Sequence, residues 1–163
     1  MYTAALEFLE DERDAWRPYE ALAQLTDAQL AQPTPVDGPG MGWSGRTLIA
    51  HMVGWLEHVL DVARELAVGT ASPTRERAVK DWAERGEAVN AELHATWAAL
   101  SDEEVRSRLA TVPGELRGTL TVVPESRWLK NAAMHAFFVG DTIEHYEEHL
   151  PVLDAVLAQA GGA

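Results

Sequence analysis

Apolar residues recur along the chain at intervals of three and four, the period of an amphipathic helix, and four long stretches of this kind stand out. The first spans Ala4 to Leu25 and places Leu6, Leu9, Trp16, Tyr19 and Leu22 near one face. A segment from Thr26 to Trp43 follows; its later part, with Pro33, Pro35, Gly38, Pro39, Gly40 and Gly42, reads as loop. Ser44 is placed to cap the second helix, because its hydroxyl can accept from an orphan amide of the first turn. That helix carries Leu48, His51, Trp55, Val59, Val62 and Leu66 and ends near Gly69. Ser72-Pro73 supplies a cap and a first-turn proline for the third, whose stripe is Val79, Trp82, Val89, Leu93, Trp97 and Leu100.

Beyond this point the pattern is interrupted. Ser101-Asp-Glu-Glu104 matches a capping box and predicts a short extra helix. Thr111 to Val123, with Gly114, Gly118 and β-branched residues, reads as a loop or a small hairpin. The fourth long helix runs from about Glu125 to Leu150, weakened locally by Gly140; Pro151 ends or kinks it, and a short tail helix extends through Leu157. Four amphipathic helices of this length bury their stripes against one another. The expected fold is therefore all-α: an up-down four-helix bundle with short extra helices, one domain over residues 1–163. Its expected interior carries Leu48, Trp55, Trp82, Val89 and Trp97.

Composition narrows the classes of function. Hydrophobic residues make up 47% of the 163, which predicts a packed globule. Thirteen Lys plus Arg stand against 26 Asp plus Glu, a formal charge of −13 with no basic cluster, so phosphate-rich nucleic acid and anionic lipid are both expected to be repelled. No stretch has the roughly 18–20 apolar residues that span a bilayer, and the first residues are acidic where a signal peptide is basic. The expectation is a cytoplasmic protein with a small-molecule partner, no nucleic acid and no membrane; a homodimer stays open. With no cysteine in the chain, a metal has to be held by His, Asp or Glu.

His145 and His149 stand four apart on one expected helix, so their rings leave the same face one turn apart and can chelate one divalent ion. His51 lies between Leu48 and Trp55 on an inner stripe and can supply a third ligand if the two helices are neighbours. Three protein ligands with an open position are what a catalytic zinc site needs. The same residues are compatible with ordinary core or surface histidines. The apolar stripe around His51, where an unpaired imidazole is costly, favours the metal. Its affinity is expected to fall as the imidazoles protonate near pH 6–6.5. His58 and His94 read as core or surface residues. His135, fourteen residues and roughly 21 Å along the helix from His149, cannot share that metal; it reads as core or, with Trp55, as a wall of the substrate pocket. Glu12, between Leu9 and Trp16, is either an acceptor behind a ligand histidine or a side chain reaching solvent.

The stretch Trp43-Ser-Gly-Arg-Thr-Leu-Ile-Ala-His-Met-Val-Gly-Trp55 resembles the second-helix signature of the DinB/YfiT-like superfamily, and His145-Tyr-Glu-Glu-His149 resembles its paired ligands near the end of the fourth helix. Gly140 to Pro151 is more similar to one branch, the ClbS/DfsB-type proteins. The resemblance implies a four-helix bundle with a divalent metal, zinc or nickel foremost, on His51, His145 and His149. It also implies a metal-dependent small-molecule enzyme: a hydrolase, or a transferase or isomerase using a low-molecular-weight thiol such as mycothiol or bacillithiol. The ClbS-like branch implies instead a metal-free hydrolase of an electrophilic metabolite. A third class, a ligand-sequestering protein without turnover, stands beside these; metal content and product formation separate them.

Overall fold

A computed structural model describes residues 2–35 and 40–162; Gly38 and Pro39 of the expected loop lie outside them. Eight α-helices follow in order: α1 (Ala5–Trp16), α2 (Asp27–Leu30), α3 (Gly45–Val68), α4 (Pro73–Arg85), α5 (Glu87–Ala98), α6 (Asp102–Leu120), α7 (Ala132–Val139) and α8 (His145–Gly161). Among the described residues there is no strand, only an antiparallel bridge between Pro33 and Ser44 that closes the loop onto the start of α3. None of the helices is long and apolar enough to cross a membrane.

The helix starts follow their caps. Ser44, Ser72 and Ser101 accept from the backbone N–H groups of Thr47, Arg75 and Glu104, and Glu104 reaches back to Ser101 to complete the capping box. The first helix changes character at Pro18, which lacks an N–H: α1 gives way to a 3₁₀ segment, Arg17–Gln24, that still buries Tyr19 and Leu22.

The bundle differs from the expected one in its third member. α3 is the central helix, packing most extensively against α6 and also against α8, while α1 touches both α6 and α8 and closes the ring. α6 is a 19-residue helix running straight through the segment expected to be loop or hairpin. Its stripe of Val105, Leu109, Val112, Leu116 and Leu120 is buried against the core, and that burial overrides the weak helix propensity of Gly114 and Gly118.

The stripe from Val79 to Leu100 does not form one core helix. Gly86 breaks it at φ 51°, ψ −125°, a conformation that favours glycine. α4 buries no residue and α5 buries Trp97 alone; Val79 is 56% and Trp82 45% exposed. The two pack on the outer side of α3, where Gly54 lets them approach. A Cβ there would lie 2.7 Å from Leu93 Cδ1 and 2.9 Å from Trp97 Nε1.

The last long helix begins only at Ala132 and passes through Pro151 to Gly161 without a break. Between α7 and α8 it contains a π-helical turn, Gly140–Glu144, in which the His145 N–H reaches the Gly140 carbonyl five residues back. Such a turn inserts one residue, so the face presented after it is rotated from the face before it.

Candidate metal centre and the cavity around it

α3 and α8 are packed neighbours, and their contact brings together the histidines expected to converge. One ring nitrogen from each of His51, His145 and His149 lies within 4.8 Å of the other two. His51 Nε2 and His145 Nε2 are 2.9 Å apart. Two nitrogens each about 2.0–2.1 Å from a single ion can stand this close. His51 and His149 are buried, at 4% and 5% exposure, and His145 is half-buried.

The donor set suits a divalent cation. Nδ1 of His51 and Nδ1 of His149 are buried with no partner among the described residues. Burial, reinforced by the neighbouring His145, His149 and His94, pushes His51 down to about 2; burial and His149 push His145 down to about 4, and burial lowers His149. All three rings are therefore neutral at physiological pH, the form that binds metal. The acidic limit expected near pH 6–6.5 moves down with them.

The π turn sets the height and direction of this cluster. It delivers His145 at the first position of α8 and turns Asp141 into the same space. The cavity that opens above the imidazoles has a volume of about 660 Å³, within the range of small-molecule sites. Its walls come from α3 (Trp55, His58), α4 (Arg75, Val79, Trp82), α7 and the π turn (Phe137, Asp141). The exposed apolar side chains of α4 thus face the cavity rather than the core.

Trp55 is one of its walls, with its indole Nε1 donating to Asn90 Oδ1 at 2.9 Å. His135 is not among the residues lining it. That ring packs 5.7 Å from Tyr2, on the far side of the π turn from His145. Glu12 neither backs a ligand nor reaches solvent; it is fully buried between Arg117 and Tyr146.

Several site residues were not legible as such. Trp43, which ends the segment expected to be loop, stacks on His149 with ring centres 5.5 Å apart and lies 4.6 Å from His51. His94, read as ordinary, has its ring 5.6 Å from His51 and a buried Nε2 without a partner. Arg75 carried no helical signal toward the cavity, because α4 was read as core; Asp141 stands among the acids that crowd the His145–His149 pair in sequence, but the π turn that brings it into the cavity is invisible to a 3.6-residue count. Burial pushes Asp141 up to about 6, against the pull of Arg75.

The family model described as "Mycothiol maleylpyruvate isomerase N-terminal domain" matches residues 9–143, more than half of the chain, which includes α3 with His51 and ends within the π turn, before His145 and His149. The narrower likeness to the ClbS/DfsB-type branch has no counterpart in that match. No curated protein and no solved structure matches the chain. The match and the helical bundle agree: the chain belongs to the mycothiol maleylpyruvate isomerase N-terminal domain family, within the DinB/YfiT-like superfamily of helical bundles.

Proposed function

We propose that the chain is a metal-dependent enzyme that uses a low-molecular-weight thiol, in the manner of a transferase or isomerase, on a small electrophilic molecule. One observation carries the reading: three neutral imidazoles, two buried and one half-buried, converge at the base of a cavity, and Nδ1 of His51 and of His149 has no partner among the described residues. Low-molecular-weight thiols of the mycothiol or bacillithiol type are the co-substrates that family membership supports, and such thiols fit a reducing, cytoplasmic setting.

A divalent ion on His51, His145 and His149, zinc or nickel foremost, supplies a Lewis acid that favours the thiolate form of a bound thiol at neutral pH. The chain's own groups do the rest. Trp43 covers His149 from the loop side and keeps water from the imidazoles. Trp55, fixed by Asn90, offers a flat apolar wall for the organic body of the substrate. Asp141, with its carboxyl near 6 and facing the cavity, can hold or release a proton at neutral pH, as rearrangement of a thiol adduct requires.

Elemental analysis of untagged protein tests the first half of the reading: about one divalent ion per chain is expected. Incubation with mycothiol or bacillithiol and a panel of electrophiles tests the second half. Thiol-dependent product should form, and both chelation and His51→Ala should abolish it. Protein that binds no metal, with product formation unchanged in His51→Ala, sinks the proposal. Product formed without thiol would move it to the hydrolase reading.

A further inference from the structure

We propose that Arg75 anchors a carboxylate of the small molecule that occupies the cavity. This deepens the reading above by naming the charge and orientation of the ligand at the same site, and it rests on that reading for the reaction but not for the binding.

Arg75 is the third residue of α4, and Ser72 holds its backbone N–H at 3.1 Å, so the first helical turn fixes where the side chain leaves. From there the guanidinium crosses to the opposite wall and lies 5.5 Å over the ring of Phe137 on α7. A cation over an aromatic face is held in place, and a planar guanidinium so held still presents its N–H edge. Nε of Arg75 is buried and has no hydrogen-bond partner; among the described residues no other arginine has a buried nitrogen in that state. Nor does Arg75 take part in any ion pair among the described residues, although Arg46, Arg64, Arg85, Arg106, Arg108 and Arg117 all do. A guanidinium that is permanently charged and partly desolvated is unfavourable unless an anion meets it.

The acids around the cavity make no direct pair with it. Glu87 accepts from the Asn90 side chain at 2.9 Å, Glu148 is exposed, and Asp141, although Arg75 lowers its carboxyl against burial, makes no ion pair or hydrogen bond with Arg75 among the described residues. Arg75 is the only Lys or Arg among the cavity's described lining residues. Apart from the metal centre, a ligand with one carboxylate therefore has one cationic place to put it, and its apolar body then lies between Trp55, Trp82 and Phe137. A carboxylate, planar and bidentate, matches the free edge of the guanidinium better than a neutral carbonyl does.

Benzoate and benzamide have nearly the same shape and differ in charge, which makes them a matched pair of probes. Their affinities are measured by NMR titration on the full chain, both zinc-loaded and stripped with a chelator; in the stripped protein a direct carboxylate–metal contact cannot contribute. Wild type is expected to bind benzoate about tenfold or more tightly than benzamide in both forms. Arg75→Gln should bring that ratio close to one while leaving benzamide affinity unchanged, and Arg75→Lys should retain a reduced preference for benzoate. A wild-type ratio near one in the stripped protein overturns the proposal, as does an Arg75→Gln variant that keeps the wild-type ratio. Circular dichroism checks the fold of each variant. If Arg75→Gln does not fold, Arg75→Lys decides, because unaltered benzoate affinity there also overturns the proposal. A protein that binds no metal but discriminates the probes would sink the metal reading and leave this one standing.

Discussion

The chain buries two polar clusters, and they are built on opposite terms. In the first, between α1, α6 and α8, the Glu12 carboxylate accepts from Arg117 Nη1 and from Tyr146 Oη, each at 2.9 Å, and Tyr19 Oη donates to the Tyr146 carbonyl at 2.6 Å. Burial raises the Glu12 carboxyl, but Arg117 and Tyr146 oppose that rise, and the carboxylate is satisfied where it sits. In the second cluster, between α3 and α8, the imidazoles of His51 and His149 keep buried nitrogens with no partner among the described residues, and a cavity opens above them. A buried polar group with all its partners inside the chain belongs to the fold. One left without a partner beside converging donors at the base of a cavity is arranged for something outside it.

That contrast breaks most visibly at His51. His51→Ala removes one of three converging donors, so zinc affinity should fall by more than the roughly 10–100-fold typical of outer-shell substitutions. Equilibrium dialysis with zinc measures it, and equal zinc binding by variant and wild type would refute the site. The fold should survive, because among the described residues only the His145 side chain hydrogen-bonds the His51 ring.

Glu12→Ala tests the other cluster. It leaves the Arg117 guanidinium and the Tyr146 hydroxyl without their acceptor, and about 3 kcal/mol of stability should be lost. Zinc binding per folded molecule should stay at the wild-type level. Urea denaturation alongside dialysis separates the two effects; a stability loss under about 1 kcal/mol would show that the cluster is not structural.

Acid sharpens the comparison, since only the histidine cluster holds groups whose folded pKa values are pushed to about 2 and about 4. Unfolded histidine titrates near 6.5, so between these values the unfolded chain carries more protons than the folded one. The stability due to neutral His51 is fully present above about pH 6.5 and declines as pH falls below it. From pH 7.5 to 5, metal-free wild type should lose roughly 1–2 kcal/mol relative to His51→Ala. Over the same range zinc affinity should fall by less than three freely titrating imidazoles would give, because His51 and His145 stay neutral and burial holds His149 below its ordinary value. A stability difference between the two proteins that does not change with pH would contradict the burial argument.

The smallest effect concerns α4. Trp82, 45% exposed beside the cavity, should cost less than about 1 kcal/mol on substitution by alanine, against roughly 3–5 kcal/mol for fully buried Trp97. Thermal melts of the two variants measure the difference, and comparable losses would return α4 to the core.

The sequence by itself determined the helical class, the starts at Ser44, Ser72 and Ser101, and the shared face of His145 and His149, because capping and side-chain spacing within a turn are local properties of the backbone. It also pointed to His51 as an inward residue, since an imidazole between Leu48 and Trp55 has few other places to go. Which helix completes the bundle was decided by tertiary structure. The Val79–Leu100 stripe carried the stronger pattern, yet α6 fills the position, because packing against α3 stabilises Leu109, Val112 and Leu116 by more than Gly114 and Gly118 weaken the helix. The same holds at the site. His94, Trp43, Arg75 and Asp141 meet the histidines only through chain separations of many turns and a π turn that rotates the face of the last helix. Contacts of that kind depend on how helices cross and where one extra residue is inserted, and no periodicity along a single helix encodes either.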